Sequence, residues 1–164
     1  MFREMRRNKQ ILSEVDTLAV MIRNTNGVLA CHGDEDYPYA VPLSYVYFND
    51  KIYFHSAKAG HKLDAILKDP KVSFAVIDED TIVSQEYTSY FRSVIAFGKT
   101  RIASGDEWLE AFKALVEKYS GDVPEEARLE EIRGCNASHI IAIDIDHMTG
   151  KEAIEFVRAK KTEA

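Results

Sequence analysis

The chain has 164 residues, of which 46% are hydrophobic, and 21 Lys and Arg against 27 Asp and Glu give a formal net charge of −6. This length and balance predict one folded domain spanning residues 1–164 and exclude a disordered chain. The acidic charge argues against a nucleic-acid partner, because binding phosphates requires a basic surface. No apolar run reaches the roughly 20 residues that cross a bilayer, and no signal-peptide pattern is present. We therefore expect a cytoplasmic protein with no membrane partner.

Sequence periodicity predicts strands in the first two thirds of the chain, helices between and after them, and one strand near the C-terminal end. Six strands are expected, over 28–31, 39–48, 51–56, 71–77, 90–103 and 138–145. Helices are expected after Ser13, over 60–68, from about Asp106 to Tyr119, over 124–132 and from His147 onward. Strands joined mostly by hairpins, with the helices segregated, predict an α+β fold whose sheet forms a barrel or a sandwich.

Three local signals refine these predictions. Pro42 lies within the run 39–48, and because proline cannot donate to a ladder we expect a sheet edge, a bulge or a kink there. Gly98 predicts a bend or a close approach of another backbone. The acidic residues 78–80 are expected to form a loop after the strand 71–77.

The stretch 55–62 (His-Ser-Ala-Lys-Ala-Gly-His-Lys) carries the most informative pattern in the chain. A strand ends there, small residues follow, and a helix begins at Gly60. Exposed backbone N–H groups at a helix start, together with the charge of Lys62 and the hydroxyl of Ser56, would bind a phosphate group. Alternatively, Gly60 shapes a turn and Lys62 is a solvated surface residue. The spacing alone leaves both interpretations open.

The strand 39–48 would present two chemically different faces, because alternate residues of a strand point to opposite sides. One face is small and could receive a flat ring: Ala40, Pro42, Ser44 and Val46. The other is largely aromatic: Tyr39, Val41, Leu43, Tyr45 and Tyr47. Taken alone, the aromatic residues are better explained as filling a core or a subunit interface.

Known catalytic and metal-binding motifs do not occur in this sequence. The five histidines show no metal-ligand spacing, and Cys31 and Cys135 form no CxxC pair, so we expect no metal site. GxSxG, Walker-A and GxGxxG patterns are missing, and no nucleophile–base pair stands out. The lack of such a pair favours chemistry carried out by a bound cofactor.

Several segments taken together resemble the 5-nitroimidazole-resistance (Nim) proteins. These belong to the pyridoxamine 5′-phosphate oxidase-like, FMN-binding split-barrel superfamily. The main resembling segments are 27–30 (Gly-Val-Leu-Ala), 38–45 (Pro-Tyr-Ala-Val-Pro-Leu-Ser-Tyr), 52–57 (Ile-Tyr-Phe-His-Ser-Ala) and 60–62 (Gly-His-Lys). Segments 1–7, 92–94, 98–99 and 147–151 add to the resemblance, which runs from residue 1 to about 101 and resumes near 135.

The resemblance implies a six-stranded antiparallel split β-barrel with flanking helices, working as a homodimer with FMN at the subunit interface. The residues implied to line the flavin ring and ribityl chain are Val41, Pro42, Leu43 and Ser44. Those implied to follow the ribityl chain and phosphate are His55, Ser56 and Ala57, with His61 and Lys62 as the basic phosphate-binding pair. Arg92 and Ser93 are implied to reach the flavin held mainly by the other subunit.

Two departures bear on function. The chain lacks the C-terminal substrate-binding strand ending in Arg-Leu-Ala-Pro that true pyridoxamine 5′-phosphate oxidases carry, so that activity is not expected. Its basic pair is His-Lys where those oxidases have Arg-Lys. We therefore expect an FMN-dependent oxidoreductase that takes electrons from NAD(P)H or another reductant and reduces a small organic acceptor. The expected acceptor is a nitroimidazole, another nitroaromatic or a quinone-like compound.

The alternatives are a non-catalytic flavin- or haem-binding carrier or sensor, and a protein that holds a deazaflavin instead of FMN. No catalytic residue is assigned from the sequence.

Overall fold

The computed structural model describes residues 1–135 and 138–162. The strands are β1 (Asn26–His32), β2 (Pro38–Ser44), β3 (Val46–Phe48), β4 (Lys51–Ala57), β5 (Lys71–Val83), β6 (Thr88–Ile102) and β7 (Ser138–Glu152). The α-helices are α1 (Glu14–Arg23), α2 (His61–Lys68), α3 (Gly105–Ser120), α4 (Glu125–Gly134) and α5 (Ile154–Thr162). None of the helices described is long and apolar enough to cross a membrane.

All strands belong to one antiparallel sheet, in the order β2-β1-β5-β6-β7-β4-β3. The two edge strands, β2 and β3, are separated along the chain by Tyr45 alone. The sheet must therefore curl until its edges meet, which produces a barrel left open between β2 and β3. At this opening the chain changes partner, because Ser44 pairs with Asn26 of β1 and Val46 pairs with Tyr53 of β4.

The strand count of six is wrong by one. The run 39–48 was expected to be a single strand, but it breaks at Tyr45, where the backbone leaves the β1 ladder and joins the β4 ladder. The sequence on both sides of Tyr45 is rich in residues that favour strands. The break is therefore visible only from the change of ladder partner, which the local sequence does not indicate.

Two strands, β5 and β7, extend beyond their predicted ends. Residues 78–80 were expected to form a loop, but β5 continues to Val83 because β6 pairs with it as far as Thr88, with a register shift between Ile77 and Glu79. The segment from His147 was expected to be helical, but β7 continues to Glu152, which pairs with Arg92 of β6. The C-terminal helix begins only at Ile154.

The predictions for Pro42 and Gly98 are confirmed. Pro42 lies on the edge strand β2, opposite Val28, so its missing N–H can face the open side of the sheet. Gly98 lies at a register shift between β6 and β7. A side chain there would collide with the carbonyl oxygen of Asp144, which explains the need for glycine.

Two apolar clusters cover the two faces of the sheet. The larger fills the barrel under α1 and α2 and includes Met21, Leu29, Phe54 and Phe74. The smaller lies outside the barrel, where α3 packs on β3, β4 and β7 through Ala111 and Leu115. Burial of both faces makes α3 an integral part of the barrel.

The opening between β2 and β3 is fixed by residues at the end of α3. Tyr45 is fully buried, and its hydroxyl donates to the carbonyl oxygen of Met21 at 2.9 Å. Its backbone N–H donates to the Tyr119 hydroxyl oxygen at 2.9 Å, and that hydroxyl also contacts the carbonyl oxygens of Thr25 and Tyr45. The ammonium of Lys118 lies 4.5 Å from the centre of the Tyr45 ring.

The start of α3 is held by a second polar cluster. Arg101 of β6 bridges Glu107 of α3 and Asp144 of β7, and the Tyr53 hydroxyl donates to Glu107 at 2.9 Å. Hydrogen bonding from Arg101 holds the pKa of Glu107 down at about 2. Both ends of α3 are therefore tied to the barrel by polar contacts.

Tyr119→Phe is expected to destabilise the fold, because it removes the hydroxyl that accepts from the Tyr45 N–H and leaves that N–H only its longer bond to the Thr25 carbonyl oxygen at 3.4 Å. Loss of a hydrogen bond costs about 0.5–1.5 kcal/mol, which urea unfolding monitored by circular dichroism would measure. Tyr87→Phe is the matched control, since Tyr87 is fully exposed and the change should stay within about 0.5 kcal/mol. Equal stability of the two variants would show that the Tyr119 hydroxyl does not hold the opening.

Candidate functional site

The loop between β4 and α2 leads into a helix start that can bind an anion. Gly60 precedes α2 with a φ of 123°, a conformation that favours glycine. No described side chain caps this end of α2. The first backbone N–H groups of the helix therefore remain free to donate, and the helix dipole favours negative charge in front of them.

Lys62 adds a positive charge at the same helix start. Its side chain is half-buried, its Nζ lies 5.3 Å from the centre of the Phe54 ring, and burial lowers its pKa. Within the part of the chain that the structure describes, no carboxylate comes within ion-pair distance of Lys62. Its charge is thus available to a ligand, and an anion would relieve the cost of burying it.

His61 connects this helix start to β2. Its ring stacks on Tyr39 with the ring centres 4.1 Å apart and 16° between the planes. Its Nε2 also lies 3.7 Å from a carboxylate oxygen of Asp34. The sequence interpretation did not assign Tyr39 or Asp34 to the site, because these contacts join positions far apart in the chain and leave no local signal.

The two faces of β2 divide as the alternation predicted. Val41 and Leu43 point inward and pack against the core, whereas Pro42 and Ser44 are exposed. A ligand on the outer side would meet small side chains, and could reach Val41 and Leu43 only through their backbone. As β2 is an edge strand, backbone groups along its free side have no partner within the sheet.

The predicted residues of β4 are split between two faces. His55 and Ala57 are exposed on the side that α3 covers further along the strand, whereas Ser56 is buried on the side of Phe54. Neighbouring strand residues point in opposite directions, so His55 and Ser56 cannot both direct their side chains at one ligand. Ser56 lies on the barrel side of the sheet, and His55 lies outside it.

Arg92 and Ser93 lie at the other end of the sheet. In the β5–β6 ladder Ser93 pairs with Ile77, while the His32 end of β1 lies near Asp69 and the start of β5. The seven residues from Lys71 to Ile77 are separated by six steps, which span about 20 Å of strand. Within one chain, Arg92 and Ser93 are therefore separated from the start of α2 by the length of the sheet.

Arg92 is also engaged in a cluster of charged side chains. Its guanidinium lies 3.1 Å from Asp78, 3.6 Å from Glu79 and 3.6 Å from the buried Glu152. Burial alone would raise the pKa of Asp78, but hydrogen bonds from Arg23, Asn24 and Arg92 outweigh this effect and lower it to about 2. Much of the Arg92 charge is therefore balanced inside the protein, and little is left for a ligand.

The start of α2 suits an anion such as a phosphate, through its free N–H groups and Lys62. The small face and free edge of β2 suit a flat ring, whereas His61 meets β2 at Tyr39 on the opposite face. Among residues 1–135 and 138–162, no three His, Cys, Asp or Glu side chains are grouped so that they could hold a metal ion.

Comparisons with known proteins agree with this architecture. An uncharacterized protein of Rhizobium meliloti (strain 1021) is 26% identical over 153 residues, which cover 88% of this chain and 95% of that protein. The crystal structure of a candidate 5-nitroimidazole antibiotic resistance protein from Bacteroides thetaiotaomicron superposes with a TM-score of 0.71 at 20% identity, covering 87% of this chain and 86% of that one.

A protein from Mycobacterium smegmatis that is described as binding FAD and heme superposes with a TM-score of 0.66. It is 20% identical, over 92% of this chain and 80% of that one. At these identities the likenesses establish the split-barrel fold and not the ligand. The sequence model of the pyridoxamine 5′-phosphate oxidase family matches residues 13–152. The resemblance seen in the sequence motifs is thereby confirmed, and the chain belongs to the pyridoxamine 5′-phosphate oxidase family.

Proposed function

We propose that this protein is a homodimeric FMN-binding oxidoreductase that transfers electrons from NAD(P)H or another reductant to a small organic acceptor. The observation that carries the proposal is the uncapped start of α2 with Lys62, which has no ion-pair partner among the described residues. His61 connects this helix start to the edge strand β2 by stacking on Tyr39, on the face of β2 opposite to Pro42 and Ser44. A nitroimidazole, another nitroaromatic or a quinone-like compound is the proposed acceptor class.

In this proposal the protein binds and orients the cofactor. The N–H groups of α2 and the Lys62 ammonium hold the phosphate, with His61 beside them. Pro42, Ser44 and the backbone of 41–44 lie against the flavin ring. Ser56 is buried on the barrel side of β4, so it is assigned no contact with the cofactor. When bound, FMN supplies reversible acceptance of a hydride or of single electrons. No side chain is assigned as a proton donor.

An exposed apolar strip on the outer face of β5 and β6 supports a dimer. Ile77, Ile95 and Phe97 are 67%, 43% and 38% exposed, and the ladder places small residues of β5 between them. Phe2 lies at the end of the strip, where its ring packs against Phe97 with the ring centres 5.3 Å apart and the planes tilted by 32°. Continuous apolar patches of this kind mark protein interfaces. A second copy seated here would bring its own Ser93, which neighbours Ile77, toward the first copy's flavin.

A second candidate function is a flavin- or haem-binding carrier or sensor without turnover. One observation favours it: the Mycobacterium smegmatis protein of similar fold is described as binding FAD and heme. The nucleotide or haem released from purified protein by heat would identify the resident group.

Lys62→Ala is expected to weaken FMN binding by about ten- to a hundredfold, because a hydrogen bond to a charged group contributes about 1.5–3 kcal/mol. Quenching of flavin fluorescence measures the affinity. Lys68→Ala, at the exposed far end of the same helix, should bind FMN like the parent protein. Equal affinities in all three proteins would place the phosphate elsewhere.

The purified protein is expected to sediment as a dimer. Ile95→Lys puts a charge in the centre of the apolar strip and should shift the protein to monomers in sedimentation velocity runs. Val15→Lys, at an exposed position of α1, should leave the dimer intact. A monomeric parent protein, or a dimer that Ile95→Lys does not affect, would contradict the proposed interface.

Electron transfer is tested with the FMN-loaded protein under anaerobic conditions. NADH or NADPH should bleach the flavin absorbance near 450 nm, roughly the range of the oxidised ring, and a 5-nitroimidazole should restore it while being reduced itself. A flavin that stays bleached after addition of the nitroimidazole and of a quinone would favour the carrier or sensor instead.

A further inference from the structure

The hairpin of β5 and β6 projects beyond the rest of the sheet as a two-stranded arm, residues 79–91. The last pair that joins β6 to β7 is Arg92–Glu152, whereas β5 and β6 stay paired as far as Val83. The arm carries two strongly exposed apolar side chains, Ile82 at 79% and Tyr87 at 98%. A two-stranded ribbon is at best marginally stable by itself, so a partner that covers the outer face of the arm would stabilise it.

The apolar strip described above continues onto the outer face of the arm. Ile77 of the strip pairs with Ser93, and Phe91 lies two residues further along β6. Because alternate residues of a strand share a face, Phe91 extends the strip. Ile82 pairs with Ser89, two residues beyond Phe91, and therefore lies on the same face.

The two ends of this face carry opposite charges. At the barrel end, the exposed Lys71 and Lys99 pair directly across the ladder, where like charges repel each other. At the arm end, Asp80 is exposed, while the adjacent Glu79 is paired with Arg92. In the part of the chain that the structure describes, neither lysine and not Asp80 lies within ion-pair distance of an opposite charge.

The spacing of these charges matches a two-fold axis that crosses the strands at the Ala75–Ile95 pair. The lysine pair lies four ladder positions to one side of Ile95, and the Asp80–Phe91 pair lies four positions to the other side. Four positions measure about 13 Å of strand. A two-fold contact places each position over the one that is equally far beyond the axis. Asp80 of one protomer therefore lies over the lysine pair of its partner.

The same axis gives complementary packing between the two charged ends. Ile95 meets its own copy at the axis, and the Ser73–Phe97 pair lies over the Ile77–Ser93 pair of the partner subunit. Phe97 is then placed over the small Ser93, and Ile77 over the small Ser73. Large side chains therefore meet small ones on both strands, so the two faces can approach closely.

We propose that the arm of each protomer docks onto a second copy of this chain, with Asp80 bound between Lys71 and Lys99 of the partner subunit. Packed sheets cross at up to about 30°, which at about 13 Å from the axis displaces the facing strand by about one strand spacing. Both lysines are therefore within reach of Asp80. The inference rests on the dimer of the proposed function and adds its register and its polar contacts, which the two-fold axis repeats.

Two charge-reversed chains test this contact: Asp80→Lys, and the double variant Lys71→Glu/Lys99→Glu. Each alone places like charges at both copies of the contact. Its dimer dissociation constant in sedimentation velocity runs should therefore rise by about tenfold or more. Asp122→Lys, in the exposed turn between α3 and α4, is the control and should dimerise like the parent protein.

An equimolar mixture of the two variants tests the pairing itself. In the mixed dimer both contacts join opposite charges again, because the introduced lysine of one chain faces the introduced glutamates of the other. The second contact keeps the native Asp80 and the native lysines. The mixture is expected to form heterodimers about as tightly as the parent protein dimerises, which a fluorescent label on one chain would report. This recovery would also show that both variants are folded.

The proposal is overturned if both variants dimerise like the parent protein, or if mixing them does not restore dimerisation. When Ile95→Lys dissociates the same parent dimer, either result removes only the arm contact and leaves the proposed dimer and flavin site in place. A monomeric parent protein overturns the arm contact together with the dimer, whereas FMN titration still tests the flavin site separately.

Discussion

The architecture depends on one constraint, the change of ladder partner at Tyr45. A chain that pairs with β1 before this residue and with β4 after it forces the two ends of the sheet together. The Tyr45 ring is buried beside the Lys118 ammonium, and the Tyr45 backbone N–H donates to the Tyr119 hydroxyl. These contacts hold the opening in place. Because β2 remains an edge at this opening, its small outer face and its backbone stay accessible to a ligand.

The helices contribute to the barrel in different ways. α2 follows directly from β4 and brings an uncapped helix start and Lys62 to the candidate site. α3 closes the outer face of β3, β4 and β7 and fixes Tyr45. α4 adds little to the core and instead encloses a cavity against α3. Arg92 of β6 forms ion pairs with Asp78 and Glu79 of β5 and with Glu152 of β7. Its charge is therefore largely balanced by carboxylates of its own chain.

The sequence predicted correctly those structural features that depend on residues adjacent in the chain. The connection between the predicted strands 39–48 and 51–56, the small-residue loop before α2 and the edge position of Pro42 follow from turn, capping and ladder chemistry. The break at Tyr45, the extension of β5 through Asp78 and the extension of β7 to Glu152 depend on ladder partners distant in the chain. The stacking of His61 on Tyr39 is likewise set by the tertiary fold. The opposite orientations of His55 and Ser56 instead follow from the local alternation of a strand.

The central claim is that the start of α2 holds the phosphate of a flavin, and titration of the purified protein with FMN and with riboflavin tests it most directly. Riboflavin has the same ring but no phosphate. The account predicts a saturable yellow complex with FMN and an affinity for riboflavin that is lower by about tenfold or more. It also predicts that FMN, but not riboflavin, shifts the amide NMR signals of His61, Lys62 and Leu63. A protein that ignores FMN, or that binds the two compounds equally well, would contradict it.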